Sequence, residues 1–122
     1  TEGKYFRYSA IGVPVEDWGP WHTSENKKEG TLADVKFSVQ NMLTPSRVLD
    51  LMKFFTLYGT DRSNRKVKII ARYQQYEGAN MIVERVKAGY PKKGLIWHFQ
   101  GSGKSLLMIF AKNLNASIFI EF

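Results

Sequence analysis

The sequence predicts an α/β chain in which a helical connector leads into a parallel βαβ unit. Two observations carry that expectation. Apolar residues recur at helical spacing through residues 32–57, and from residue 66 onward β-rich runs alternate with amphipathic ones. Composition agrees, because 43% hydrophobic and 24% charged residues lie near the globular norm and rule out a wholly disordered chain. A length of 122 residues fits one ordinary domain or a piece of a larger one.

Each element follows from local chemistry. Residues 4–15 (KYFRYSAIGVPV) alternate bulky with small or polar side chains and reach Pro14, as an edge strand does. Residues 16–31 mix Gly, Pro, Asn and Ser with a charge cluster, which predicts an irregular surface segment. Leu32, Val35, Val39, Met42 and Leu43 share one face, predicting a helix over 32–43. Thr44-Pro45 predicts a second helix start, with Thr44 accepting from free amides and Pro45 at the first helical position. That helix presents Val48, Leu49, Leu51, Met52, Phe55 and Leu57 and is expected to stop at Gly59. TDRSNRK (60–66) reads as a polar, basic linker. KVKIIA (66–71) predicts a strand, residues 73–88 a helix closed by Gly89-Tyr90-Pro91, and KGLIWHF (93–99) a second strand. QGSG (100–103) is a glycine turn, KSLLMIFAKNL (104–114) a helix and ASIFIEF (116–122) a last strand.

Several function classes fall away. There is no cysteine, so disulfides, thiolate metal sites and cysteine nucleophiles are excluded. His22 and His98 stand far apart, which disfavours a structural zinc site. No apolar run approaches the roughly 18 residues a membrane span needs, and residues 1–20 lack a signal-peptide core. The expected location is therefore cytoplasmic, with no membrane partner. The start at Thr1 fits a processed or excerpted chain. Residues 1–60 carry seven basic and seven acidic residues, whereas 61–122 carry eleven and four, so the second half holds the whole +7 charge. Such a field attracts nucleotide phosphates or a nucleic-acid backbone, although surface lysines also simply keep a chain soluble.

The most specific motif is HFQGSGKS, residues 98–105. A phosphate-binding loop needs glycines so that backbone N–H groups can wrap a phosphate. It also needs a lysine for the β- and γ-phosphates and a hydroxyl for magnesium, with a helix dipole behind them. Gly101 and Gly103 supply the turn, Ser102 lies between them, Lys104 supplies the charge and Ser105 the hydroxyl. His98 stands where the full pattern has its first glycine; the bland alternative is an ordinary glycine turn. Upstream, ARYQQYEGA (71–79) offers Gln74 or Gln75, whose amide could read an adenine edge bidentately, and Tyr73 or Tyr76 to cover the ring. A capped amphipathic helix with solvated glutamines is the alternative there.

ARYQQYEGANMIVERV followed by KKGLIWHFQGSGKS resembles the start of the motor domain in restriction (R) subunits of type I restriction–modification enzymes. KYFRYSAIGVPVEDWGPW and LADVKFSVQNMLTPSRVLDLMKFFTLYG resemble the same subunits just after their nuclease core, so the resemblance covers roughly residues 4–114 and is specific at 66–108. The family resembles superfamily 2 helicases: it hydrolyses ATP with Mg2+, translocates double-stranded DNA beside modification and specificity subunits, and cuts with a separate nuclease domain. The resemblance implies three stretches: 1–30 as the end of a nuclease-like region, 31–59 as a helical connector, and 60–122 as the N-terminal part of a RecA-like motor domain. It gives Gly101, Ser102, Gly103, Lys104 and Ser105 the phosphate-loop roles, with Ser105 toward Mg2+. Arg72 and Gln75 match the arginine and adenine-reading glutamine, with Gln74 at the family's tyrosine position, and His98 matches a histidine just before the loop.

The family's nuclease residues and its downstream Asp-Glu box are not in the sequence, and the tail after Leu114 departs from the pattern. The expectation is an excerpt or truncated product, with no ATPase or nuclease activity of its own. A non-enzymatic nucleotide- or nucleic-acid-binding module is the alternative, and a basic helical interaction module a more distant one. Glu16-Asp17, as neighbours on a strand, would point to opposite sides and not form a metal pair. Trp18, Trp21 and His22 are expected to pin their loop to the core, and Met42, Met52, Phe54, Phe55 and Phe110 to pack. Arg62, Arg65, Lys66 and Lys68 form a denser basic run, open to DNA contact or to plain solvation.

Overall fold

A computed structural model of the chain describes residues 3–98 and 100–120. The chain forms two compact units, Thr1–Tyr73 and Gln74–Phe122.

In the first unit, β1 (Arg7–Tyr8) pairs antiparallel with β2 (Gly19–Pro20). The edge strand expected over 4–15 shrinks to those two residues. Gly12 adopts φ +85°, Val13 N–H donates to the Ala10 carbonyl at 3.3 Å, and Val15–Asp17 form a 3-10 turn, so the chain curls before an extended ladder can lengthen. Trp21 is buried, with its indole N–H donating to Asn41 Oδ1 at 2.9 Å and Tyr8 meeting it edge-on at 5.6 Å. His22 lies 5.3 Å from the Tyr73 ring, so Trp21 and His22 do pin the segment. Trp18 does not: it is exposed and donates locally to the Val13 carbonyl.

Helix α1 (Leu32–Met42) begins at Thr31, whose hydroxyl and the Asp34 carboxylate form a reciprocal capping box. Val35, Ser38 and Met42 face inward, whereas Leu32 and Leu43 are exposed. Helix α2 (Pro45–Phe54) has Pro45 at its start, as expected, but Thr44 does not cap it. The Thr44 hydroxyl instead donates back to the Gln40 carbonyl at 2.8 Å, satisfying the end of α1.

Helix α2 ends at Phe54, not at Gly59. Thr56–Thr60 form β3, which pairs antiparallel with β4 (Lys66–Ile70). Phe55-Thr56-Leu57-Tyr58 is rich in aromatic and branched residues, and pairing with β4 outweighs one further helical turn. The expected linker is the hairpin loop: Asn64 takes φ 61°, and Asp61 Oδ1 accepts from the Ser63 and Arg65 amides at 2.8 and 2.9 Å. A loop this short can join only antiparallel strands, since a parallel pair needs a crossover of about a dozen residues. Both sheets among the described residues are two-stranded and antiparallel, in place of the parallel βαβ order expected. Phe55, fully buried, sits where α2 turns into β3, and its carbonyl accepts from Ala71 N–H at 2.9 Å.

The second unit packs α3 (Tyr73–Ala88) against α4 (Lys104–Ile120). Helix α3 has the bounds the sequence predicts and closes at Gly89 with φ +70°. A Cβ at Gly78 would lie 3.0 Å from Leu107 Cδ1, so a hydrogen there lets the helices approach. Ala79, Val83, Leu107, Phe110 and Ala111 are buried around that contact. Residues 93–98 form no strand: Leu95 and Trp97 are 84% and 87% exposed, and the unit has no strand among its described residues to pair them. Phe99, the last residue of that expected strand, lies outside the described residues. The strand expected at 116–122 is helical as far as Ile120, and Glu121 and Phe122 lie outside the described residues. No Gly or Pro follows Lys104, so nothing local stops the helix.

Candidate functional site

The loop 100–103 turns sharply into α4. Gly101 and Gly103 adopt φ +80° and +79°, a region that costs other residues roughly 1–2 kcal/mol, which is why glycine stands at both. Helix α4 starts at Lys104, so the first N–H groups of a 17-residue helix, with the positive end of its dipole, open onto this turn. Leu107 N–H donates to the Gly103 carbonyl at 3.0 Å, the first bond of the helix.

Gln75, two residues inside α3, reaches the same carbonyl. It is 3% exposed, and its Nε2 donates to Gly103 O at 3.2 Å. A Cβ on Gly103 would collide with that amide nitrogen. Gln75 and the loop are therefore fitted to each other across 28 residues of sequence. Gln74 is half-buried and makes no such bond to the loop.

Lys104 is exposed and its Nζ donates to the His98 carbonyl at 2.9 Å, folding the ammonium over the entrance of the loop. Ser105 is exposed in the first turn of α4. Ser102 Oγ is buried and, among the described residues, lacks a hydrogen-bond partner. A hydroxyl in that state normally has a ligand or water to satisfy it. The geometry thus gathers Gly101, Ser102, Gly103, Lys104, Ser105 and Gln75.

Arg72 belongs to the first unit, exposed between β4 and α3. Its charge acts on Tyr8, whose phenol burial pushes above the ordinary range while Arg72 pulls it back; the Tyr8 hydroxyl donates to the Ala71 carbonyl at 2.6 Å. Tyr73 is buried beside His22 and Tyr76 is half-buried. Glu16 and Asp17 sit exposed in the 3-10 turn, not on a strand. Among the described residues no group of three or more His, Asp or Glu side chains could hold a metal ion.

Sequence reasoning missed Gly78, although a lone glycine inside a helical pattern signals close packing. It also missed the hairpin turn, for which Asp61, Ser63 and Asn64 were the signal.

Residues 74–118 match the SWI2/SNF2 ATPase family model. The chain is 36% identical, over 91% of its length, to a protein of Methanocaldococcus jannaschii named as type I restriction enzyme MjaVIIIP endonuclease subunit. It is 29% identical over 90% of its length to the type I restriction enzyme HindI endonuclease subunit of Haemophilus influenzae. A second M. jannaschii subunit, MjaVIIP, is 40% identical over 65% of the chain. The chain spans 12%, 11% and 8% of the lengths of these relatives. No solved structure matches. No helix among the described residues is long and apolar enough to cross a membrane.

Proposed function

We propose that this chain, which corresponds to a segment of a type I restriction endonuclease subunit, binds ATP with Mg2+ through residues 101–105 and Gln75. The observation that carries the reading is the buried Gln75 amide bonded to the Gly103 carbonyl, at a turn with two left-handed glycines and a helix N-terminus. The residues suit the group. Gly101 has open space where a Cβ would stand, Ser102 Oγ has no hydrogen-bond partner among the described residues, and Lys104, exposed at the start of α4, would exchange its bond to the His98 carbonyl for one to a phosphate. Ser105 would offer its hydroxyl to Mg2+, and Arg72 would support adenine selection. Bound Mg2+ supplies neutralisation of the phosphate oxygens.

In the longer subunit, we assign residues 1–30 to the end of the nuclease region, 31–59 to a connector, and 60–122 to the first part of a RecA-like motor. Its role there would be ATP-driven translocation of double-stranded DNA in the cytoplasm, together with modification and specificity subunits.

The test is calorimetric titration of the chain with MgADP. Lys104→Ala removes a charge-assisted phosphate contact and is expected to weaken binding by about ten- to a hundredfold, from roughly 1.5–3 kcal/mol. Equal affinity with and without the Lys104 side chain would end this reading.

A further inference from the structure

Arg62, Lys66 and Lys68 take no part in the site described above. The β3–β4 register sets Tyr58 opposite Lys68 and Thr60 opposite Lys66. Side chains alternate along a strand, so Tyr58, Thr60, Lys66 and Lys68 share one face, and Leu57, Gly59, Val67 and Ile69 the other. Burial follows that division: the first four are exposed and the second four half-buried. The outward face is therefore cationic with hydroxyl donors, and Arg62 extends it, exposed, at the loop tip.

The hairpin has one acid, and it is already engaged. Asp61 accepts from the Ser63 and Arg65 amides and from Arg65 Nε at 3.0 Å, and it pairs with Arg65 Nη2 at 2.9 Å. These bonds, the Arg65 amide first, hold its carboxyl below the usual range. Among the described residues, Arg62, Lys66 and Lys68 have no acidic partner.

We propose that this face of the β3–β4 hairpin contacts the phosphate backbone of duplex DNA. Lys66 and Lys68 are two strand steps apart, about 7 Å, which spans about two axial steps of one DNA strand. The opposed strand, about 5 Å away, carries Tyr58 and Thr60, whose hydroxyls are neutral donors to the same phosphates. Contacts of this kind to phosphates carry no sequence information and release counterions, so the binding expected is sequence-independent and steeply salt-dependent. The proposal deepens the reading above, because DNA is the partner that reading assigns.

Fluorescence anisotropy of the full chain with a short labelled duplex, in a salt series from about 50 to 200 mM, tests it. Arg62→Gln/Lys66→Gln/Lys68→Gln removes three contacts and is expected to lower the slope of log K against log salt by about 2.7. Lys66→Gln/Lys68→Gln, which leaves the loop intact, should lower it by about 1.8. Lys27→Gln/Lys28→Gln/Lys36→Gln, the same charge change at exposed sites elsewhere, should leave it in place. An absence of duplex binding, an unchanged slope in the hairpin variants, or an equal drop in the control would overturn the proposal. So would polyglutamate displacing the duplex at equal charge concentration, since the face would then suit an acidic protein. MgADP affinity, measured on the same samples, should not change with the hairpin substitutions. Its loss from the wild-type chain beside an intact DNA slope would defeat the nucleotide reading alone.

Discussion

Gly103→Ala should damage the candidate site more than Gly101→Ala, although the two residues have nearly the same backbone. Both adopt φ close to +80°, so each substitution carries the left-handed penalty of roughly 1–2 kcal/mol. At Gly101 the new methyl meets nothing within 4 Å. At Gly103 it collides with Gln75 Nε2, and the amide must leave the Gly103 carbonyl it bonds at 3.2 Å. Gln75 is 3% exposed, so a displaced amide is left buried without that partner, at a further cost of roughly 1–3 kcal/mol. The expected totals are about 1–2 kcal/mol for Gly101→Ala and about 2–5 kcal/mol for Gly103→Ala. Hydrogen exchange of the α3 and α4 amides, read as opening free energies, measures both within the second unit. Removing the amide first should relieve the collision, so Gln75→Ala/Gly103→Ala should cost less than the sum of its parts. Equal losses at the two glycines, or strict additivity in that cycle, would refute the fitted contact between Gln75 and the loop.

Other expectations follow from single contacts. Gln75→Ala should lower the preference for MgATP over MgGTP in calorimetry while triphosphate binding persists, and Gln74→Ala should not; an unchanged ratio for Gln75→Ala would leave it a structural residue. Phe55→Ala empties a fully buried position and should cost about 3–5 kcal/mol in urea unfolding; a loss under about 1 kcal/mol would contradict its place in the core. The Arg7 guanidinium hydrogen bond, helped by His22, holds the Glu29 carboxyl below its usual range against the opposing effect of burial. Unfolded Glu29 therefore binds its proton at higher pH than folded Glu29. Its contribution is complete above the ordinary carboxylate range and is lost as pH falls through the lowered value. Because the pair is solvent-accessible, the effect is under about 1 kcal/mol, and Glu29→Gln should flatten that part of the stability–pH curve.

How much was legible in the sequence depends on the reach of the interaction. Helix α3 has the bounds its periodicity predicts, α1 is one residue shorter than expected, and Pro45 opens α2. The left-handed turns at Gly89, Gly101 and Gly103 fall where glycine was expected to break the chain. These features are set within about one helical turn, by caps, φ preferences and apolar spacing. The glycine turn at 101–103 and the helix start at Lys104 were legible for the same reason, since they are consecutive.

What needed a distant partner was decided only by tertiary structure. Residues 56–60 carry enough apolar spacing to continue a helix, and became a strand because Lys66–Ile70 offered a ladder. KGLIWH has strand chemistry and no strand, because backbone pairing needs a neighbour and its unit has none among the described residues. ASIFI reads as a strand by composition, yet continues α4, whose hydrogen-bond ladder needs nothing beyond its own chain. The choice between Gln74 and Gln75 at the loop was likewise not in the local pattern. Successive helix residues point about 100° apart, and only the packing of α3 on α4 through Gly78 turned Gln75, not Gln74, to the Gly103 carbonyl.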